Sequence, residues 1–223
     1  MKFWYMDLKV DQRSVVCFDL DDTLYNEIDF LRSAYREIAQ NVDEGHWESL
    51  FAKMFSLYRK KENVFDFLMQ EHPITLQHLL NMYHGHIPDI VPFTGVLPLF
   101  DAIKAAKGKI CIITDGRSIT QRNKLKALGV LNYLDLIIIS EEIGSEKPGI
   151  LNYSMVEQKF PDCQYTYVAD NFKKDFIMPN QRNWNSIGLI DNGLNIHNTC
   201  FDHQSEIHLP KHLILKFEDI KIV

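Results

Sequence analysis

A doubly wound α/β sheet with an all-helical module inserted after its first strand is the fold this sequence predicts. Three observations carry that expectation. Short, near-continuously apolar runs rich in β-branched and aromatic residues recur along the chain, as strands covered on both faces of a parallel sheet do. Amphipathic helical stretches separate them, the alternation that builds a doubly wound sheet. Residues 25–92 break this rhythm and carry helical periodicity alone.

The strand-like runs fall at 15–18, 109–113, 136–139, 166–169 and 186–190. Between them, Leu97, Leu99, Phe100, Ile103 and Ala106 define one helix, with Gly108 expected as the left-handed residue that closes it. A second helix spans 118–128 and closes at Gly129. A third is expected to open at Pro148, a favoured first-turn residue, and carries Leu151, Met155 and Phe160. The ending Leu213-Ile214-Leu215-Lys216-Phe217-Glu218-Asp219-Ile220 adds a short strand and a turn of helix.

In the insertion, Asn26 is placed to cap a helix bearing Ile28, Leu31, Ala34 and Ile38. Trp47, Phe51, Met54, Phe55 and Tyr58 form an aromatic stripe that reads as the core of a small bundle more readily than as a pocket wall. Two shorter helices follow at 64–69 and 76–83. Pro88, Pro92 and Gly95 then suit a hinge. The expected division is a core of residues 1–24 and 93–223 and a helical module of residues 25–92.

Composition narrows the function. The chain has 223 residues, 46% of them hydrophobic, enough for one substantial core and a small second module. Its net charge of −6 argues against a nucleic-acid partner, which needs a concentrated basic face. Arg59-Lys60-Lys61, flanked by Glu62, reads as solvated helix surface. No window is long and apolar enough for a membrane span, and MKFWYMDLKVDQR, with Asp7 and Asp11, does not resemble a secretory signal. Cys17, Cys111, Cys163 and Cys200 fit no metal-finger spacing; Cys17 and Cys111 lie in apolar runs as small buried hydrophobes. A cytoplasmic location is expected. His197, Cys200, His203, His208 and His212 occupy a polar, loop-like stretch that Pro210 interrupts, which disfavours a structural metal there.

The chemistry concentrates at strand ends. Val15-Val16-Cys17-Phe18 runs into Asp19-Leu20-Asp21-Asp22-Thr23. Three acids at the end of an apolar strand are unfavourable unless a cation compensates them, and strand carboxyl ends are where open α/β sheets bind ligands. A hard divalent cation, magnesium where phosphate shares the site, is the natural partner; an acidic helix cap is the plainer alternative. A second apolar run ends in Thr114-Asp115-Gly116 before a helix start near Ser118. Its N–H groups with Thr114 make an anion site, or Thr114 merely caps the helix. Lys147 precedes Pro148, and Asp170 ends a further run with Asp175 five residues on.

Taken together, these residues resemble the haloacid dehalogenase-like hydrolase superfamily, whose four motifs match Asp19-Leu20-Asp21-Asp22-Thr23, Thr114, Lys147 and Asp170 with Asp175. The likeness covers about residues 15–190, and the helical module looks like the cap that the family places after its first strand. Ala169 departs from the glycine that many members have there. The stretch from Thr114-Asp115-Gly116 through Gln121-Arg122-Asn123-Lys124-Leu125 to Lys147-Pro148 looks especially like members acting on sugar phosphates or nucleoside monophosphates.

The resemblance implies a phosphatase. Asp19 would be nucleophile and metal ligand; Asp21 would protonate the leaving alkoxide and then activate water. The Asp21 carbonyl, Asp170 and Asp175 would complete the protein's share of a Mg²⁺ shell. Thr114, the N–H groups of Asp115 and Gly116, and Lys147 would hold the phosphoryl oxygens. The acids and a phosphate dianion outweigh Mg²⁺ plus Lys147, so Asp21 is expected to be protonated with substrate bound. Asp21 weighs against a dehalogenase, since halide needs no acid to leave. A phosphomutase of the β-phosphoglucomutase kind uses the same motifs, and a non-catalytic binding protein keeps the fold. Tyr25, Trp47, Tyr58 and Tyr83 are candidate pocket aromatics more simply read as core, and Arg32 and Arg36 candidate anion contacts more simply read as surface.

Overall fold

A computed structural model of the chain describes residues 5–197 and 205–223. Strands β1 (Met6–Leu8) and β2 (Ser14–Phe18) lead into four helices, α1 (Glu27–Val42), α2 (Trp47–Arg59), α3 (Val64–Glu71) and α4 (Leu76–Gly85). Strand and helix then alternate through α5 (Val96–Ala105), β3 (Lys109–Thr114), α6 (Ser118–Ala127) and β4 (Leu136–Ile139). The short α7 (Ser140–Ile143) is followed by α8 (Ile150–Lys159), β5 (Gln164–Ala169), α9 (Ile177–Gln181) and β6 (Asn185–Leu189). The chain finishes with β7 (His212–Ile214), a 3₁₀ turn at Phe217–Asp219 and β8 (Ile220–Ile222).

Six parallel strands form the main sheet in the order β4-β3-β2-β5-β6-β7. All five residues of β2 are buried, because the strand is central and covered on both faces. Its side chains alternate between two cores. Val16 and Phe18 join α5, with the Phe18 and Phe100 rings 4.9 Å apart; Val15 and Cys17 join Tyr153 and Val156 of α8. Cys17 and Cys111 face one another in register as free, buried thiols, packed as small hydrophobes. The chain reverses direction across the sheet on either side of β2, so the carboxyl ends of β2, β3 and β5 frame the crevice.

Every apolar run expected as a strand is one, within two residues. Sequence reading missed the pair β1–β8, parallel and three residues each, with Leu8 and Ile220 in the core that α5 fills. Three local expectations are corrected. The left-handed residue closing α5 is Lys107 (φ 64°), not Gly108. Lys107 N–H donates to the Lys104 carbonyl and Gly108 N–H to that of Ile103, the paired bonds of a Schellman closure. Gly108 is needed for room, since a Cβ there would lie 2.6 Å from Val10 Cγ1. Helix α8 begins at Ile150 rather than Pro148, because Gly149 N–H closes a turn onto the Glu146 carbonyl; the Lys147–Pro148 bond is cis. Asn26 holds the N-cap position of α1 but its side chain caps nothing there. Asp22 Oδ1 takes the Glu27 N–H instead (2.7 Å), while Asn26 Oδ1 accepts from Asn192.

Helices α1–α4 share their own core of Ile28, Leu31, Ile38, Leu50, Met54, Leu57, Leu68 and Leu79, with Trp47, Phe51, Phe55, Tyr58 and Tyr83 half-buried against it. Arg32 and Arg36 are paired at the surface with Asp29 and Asp89 (2.9 Å each). The returning segment is tied back where Asp89 N–H donates to Ser33 Oγ and Phe93 N–H to the Leu24 carbonyl. No helix among the described residues is long and apolar enough to cross a membrane.

Candidate active site

Asp19 leaves the end of β2, Thr114 ends β3, Asp170 follows β5, and Lys147 arrives from the turn before α8. They line one cavity of about 290 Å³ with Asp21, Asp22, Glu27, Asp115, Gly116 and Lys174. The fold therefore brings together the strand-end residues named from the sequence; Asp175, fully buried, is clustered with Asp19 and Asp170 without itself lining the cavity.

Lys147 is the hub. Its Nζ donates to Asp19 Oδ1 at 2.5 Å and to Tyr167 Oη at 3.3 Å, and pairs with Asp175 Oδ1 at 2.9 Å. Burial pulls its ammonium pKa down, but Asp175 and Asp19 outweigh burial and hold it well above the usual lysine value. Asp19 is pushed up to about 7, chiefly by burial, with Lys147 opposing. Asp170 is raised well above the usual carboxylate range by burial and by the neighbouring Asp19 and Asp175. Thr23 Oγ1 and Asn195 Nδ2 donate to its two oxygens (3.0 and 2.8 Å).

Asp19, Asp170 and Asp175 present oxygens all within 4.8 Å of one another. Asp175 Oδ1 is buried and accepts no hydrogen bond, although Lys147 lies beside it. An all-oxygen, carboxylate-rich donor set with an unsatisfied acceptor fits a hard divalent cation of the magnesium kind. The Asp21 carboxylate stands outside this group.

Asp21 instead meets three donors: Tyr25 Oη at 2.5 Å, Lys124 Nζ at 2.7 Å and Gln121 Nε2 at 2.9 Å. Burial would raise its pKa, but Lys124, helped by the hydrogen bonds, outweighs burial and lowers it. In this arrangement Asp21 is the ionised carboxylate. Gln121 Nε2 also donates to Thr114 Oγ1 at 2.6 Å. Tyr25, read from sequence as core, is buried and yet touches the site.

The anion site expected around Thr114 is partly committed to protein acceptors. Gly116 N–H donates to Ser140 Oγ (2.9 Å) and Ser118 N–H to Glu141 Oε2 (2.7 Å), so α7 caps the start of α6. Asp115 holds the neighbouring turn, its Oδ1 taking the Lys147 N–H at 3.0 Å and its Oδ2 pairing with Lys174 at 2.6 Å. Asp22 is structural as well: its oxygens accept the N–H groups of Glu27 and Ile196. Sequence reasoning quoted Gln121 and Lys124 only within the stretch that carries the family resemblance, gave them no role at the site, and did not name Glu27 or Lys174. The one available signal was a lysine and a glutamine one helical turn apart in a segment with only a weak apolar face. Of the C-terminal histidines, His208 lies 3.1 Å from the Phe172 carbonyl, His197 lies 3.9 Å from Glu27 and His212 is exposed on β7; Cys200 and His203 fall outside the described residues.

The fold is a parallel α/β sheet with a carboxylate cluster at its strand ends, and comparison names its family. The chain belongs to the haloacid dehalogenase-like hydrolases, whose family model matches residues 16–189. It is 27% identical over 176 residues to a glyceraldehyde 3-phosphate phosphatase of Methanocaldococcus jannaschii, covering 72% of this chain and 77% of that one. It is 36% identical over 89 residues, 39% of each chain, to the pyrimidine 5'-nucleotidase YjjG of Escherichia coli. Its fold matches the HAD-hydrolase YfnB of Bacillus subtilis, a structure bound to magnesium, with a TM-score of 0.63 at 16% identity over 95% of this chain and 97% of that one.

Proposed function

We propose that the chain is a magnesium-dependent phosphomonoesterase that cleaves a small phosphorylated metabolite, a sugar phosphate or a nucleoside monophosphate, through an aspartyl-phosphate on Asp19. The observation that carries this reading is the buried cluster at the strand ends, in which the oxygens of Asp19, Asp170 and Asp175 gather and Lys147 pairs with Asp19 and Asp175. Phosphoryl transfer needs positive charge around the phosphoryl oxygens and an in-line nucleophile, and little else.

In this mechanism Thr114 and Lys147 hold phosphoryl oxygens. Asp21, ionised in the free protein, takes up a proton as the phosphate monoester brings its own negative charge into the site. An Asp19 oxygen then forms the new bond to phosphorus as the ester P–O bond breaks, and the departing oxygen takes that proton from the Asp21 carboxyl. Water then attacks the phosphorus of the aspartyl-phosphate, Asp21 takes its proton, and Asp19 is released. Asp19, Asp170, Asp175 and the Asp21 carbonyl would hold Mg²⁺, which neutralises charge on the phosphate when bound. Asp21 supports ester cleavage over halide displacement, because an alkoxide must be protonated to leave. The helical module of residues 25–92 acts as the cap over this site, contributing Tyr25 and Glu27 to it. The names of the relatives, a glyceraldehyde 3-phosphate phosphatase and a pyrimidine 5'-nucleotidase, agree with this class.

Phosphate release from sugar phosphates, nucleoside monophosphates and p-nitrophenyl phosphate, with magnesium and with EDTA, tests the reading. Metal-dependent release from at least one compound is expected. A folded protein that releases phosphate from none of them contradicts it.

A further inference from the structure

Two of the three donors that grip Asp21 come from one helix, α6. Gln121 and Lys124 lie one turn apart, and Lys124 is only 3% exposed. A buried ammonium costs stability unless it is paired, and this one is paired with the Asp21 carboxylate at 2.7 Å. Gln121 ties the same carboxylate to Thr114.

The helix is itself fixed from the other side. Asn123 Nδ2 donates to the carbonyls of Gly85 and His86 (3.0 Å each), and Thr120 Oγ1 donates to that of His84 (3.1 Å), all at the end of α4. Lys124 Nζ also lies 4.4 Å from the centre of the Phe30 ring and 3.9 Å from Glu27 Oε1, both on α1. These contacts hold the ammonium against Asp21, with Glu27 as a more distant second acid.

Resting on the phosphomonoesterase reading above, we propose that Lys124 is a positioning residue that fixes where the Asp21 carboxyl meets the leaving oxygen. In the step it serves, an Asp19 oxygen bonds to phosphorus. The P–O ester bond breaks with its electron pair on the departing oxygen, and Asp21 delivers the proton that it takes up when the substrate's negative charge enters the site. A strongly basic alkoxide needs that proton, whereas p-nitrophenoxide leaves without it. Loss of positioning therefore falls unequally on the two kinds of ester.

The test compares kcat/KM, which reports the steps up to the aspartyl-phosphate, for p-nitrophenyl phosphate and for the best alkyl phosphate of the wild type. Lys124→Met should lower it for the alkyl ester by about 100-fold, the scale of a misplaced catalytic group, and by a much smaller factor for p-nitrophenyl phosphate. Lys124→Gln, which keeps a donor in the buried space, is carried through the same comparison so that a poorly folding Lys124→Met leaves the test standing. Lys124→Arg, which keeps charge and donors, should recover part of the alkyl activity. Equal losses on both esters, or no loss on either, would overturn the role of Lys124 while leaving the phosphatase reading intact. A wild type that releases phosphate from neither ester in magnesium would remove that reading instead.

Discussion

Lys147 Nζ lies 2.5 Å from Asp19 Oδ1, across 128 positions of sequence, and the same ammonium pairs with Asp175 at 2.9 Å. One buried cation is shared by two buried acids, with Asp170 close by. Lys147→Met removes the cation and leaves the acids uncompensated. Breaking such a pair costs about 3–5 kcal/mol, read as a lower urea midpoint of the metal-free protein. Activity should fall by at least about 100-fold, as when one electrostatic partner of the transition state is lost.

Magnesium and pH should act together. Burial raises the Asp22 carboxyl to about 6, Asp19 to about 7 and Glu27 to about 8. A carboxyl raised in the folded state favours folding below its ordinary range, and that contribution is lost as pH rises through the raised value. Metal-free protein should therefore lose thermal stability from pH 5 to pH 8. A divalent cation needs Asp19 and Asp170 ionised, so magnesium should raise Tm more at pH 8 than at pH 5. Thermal scans at both pH values, with magnesium and with EDTA, check this. A magnesium shift that is larger at pH 5 would count against the carboxylate site.

Asp22 ties two distant segments to the first strand. Its oxygens accept the N–H of Glu27 at the start of α1 (2.7 Å) and of Ile196 (2.8 Å). Asp22→Ala leaves both donors without that acceptor and should cost about 1–3 kcal/mol per buried unsatisfied group, measured by chemical denaturation.

The closure of α5 predicts two opposite effects. Lys107 is left-handed at φ 64°, so Lys107→Gly should stabilise by about 1 kcal/mol or less. Gly108→Ala places a methyl 2.6 Å from Val10 Cγ1 and should destabilise by about 1–3 kcal/mol. Paired urea melts of the two variants check the sign of each.

Legibility followed the range of the interactions. Val15, Val16, Cys17 and Phe18 announce their strand because burial on both faces demands an unbroken apolar run, and the acids after it are conspicuous against that background. Thr114, Lys147 and Asp170 are legible for the same reason: each follows an apolar run or a turn that marks a strand end. Lys124 and Gln121 were not legible as partners of Asp21. Their contacts span 103 and 100 positions, and α6 has little apolar patterning to orient it. The strands β1 and β8 were missed because three residues are too few for a period. At Asp22 a single competing contact took over the cap that local preference assigned to Asn26, and the left-handed residue closing α5 fell at Lys107, one position before the Gly108 that local preference named.

The central claim is that Asp19 carries the phosphoryl group. Phosphate release by wild type and by Asp19→Asn, each with magnesium and with its fold verified by circular dichroism, tests it most directly. The account predicts release by wild type that EDTA abolishes, and at least about a 1000-fold loss in Asp19→Asn, since the amide is no nucleophile. An Asp19→Asn protein that hydrolyses the same ester within tenfold of wild type would contradict it.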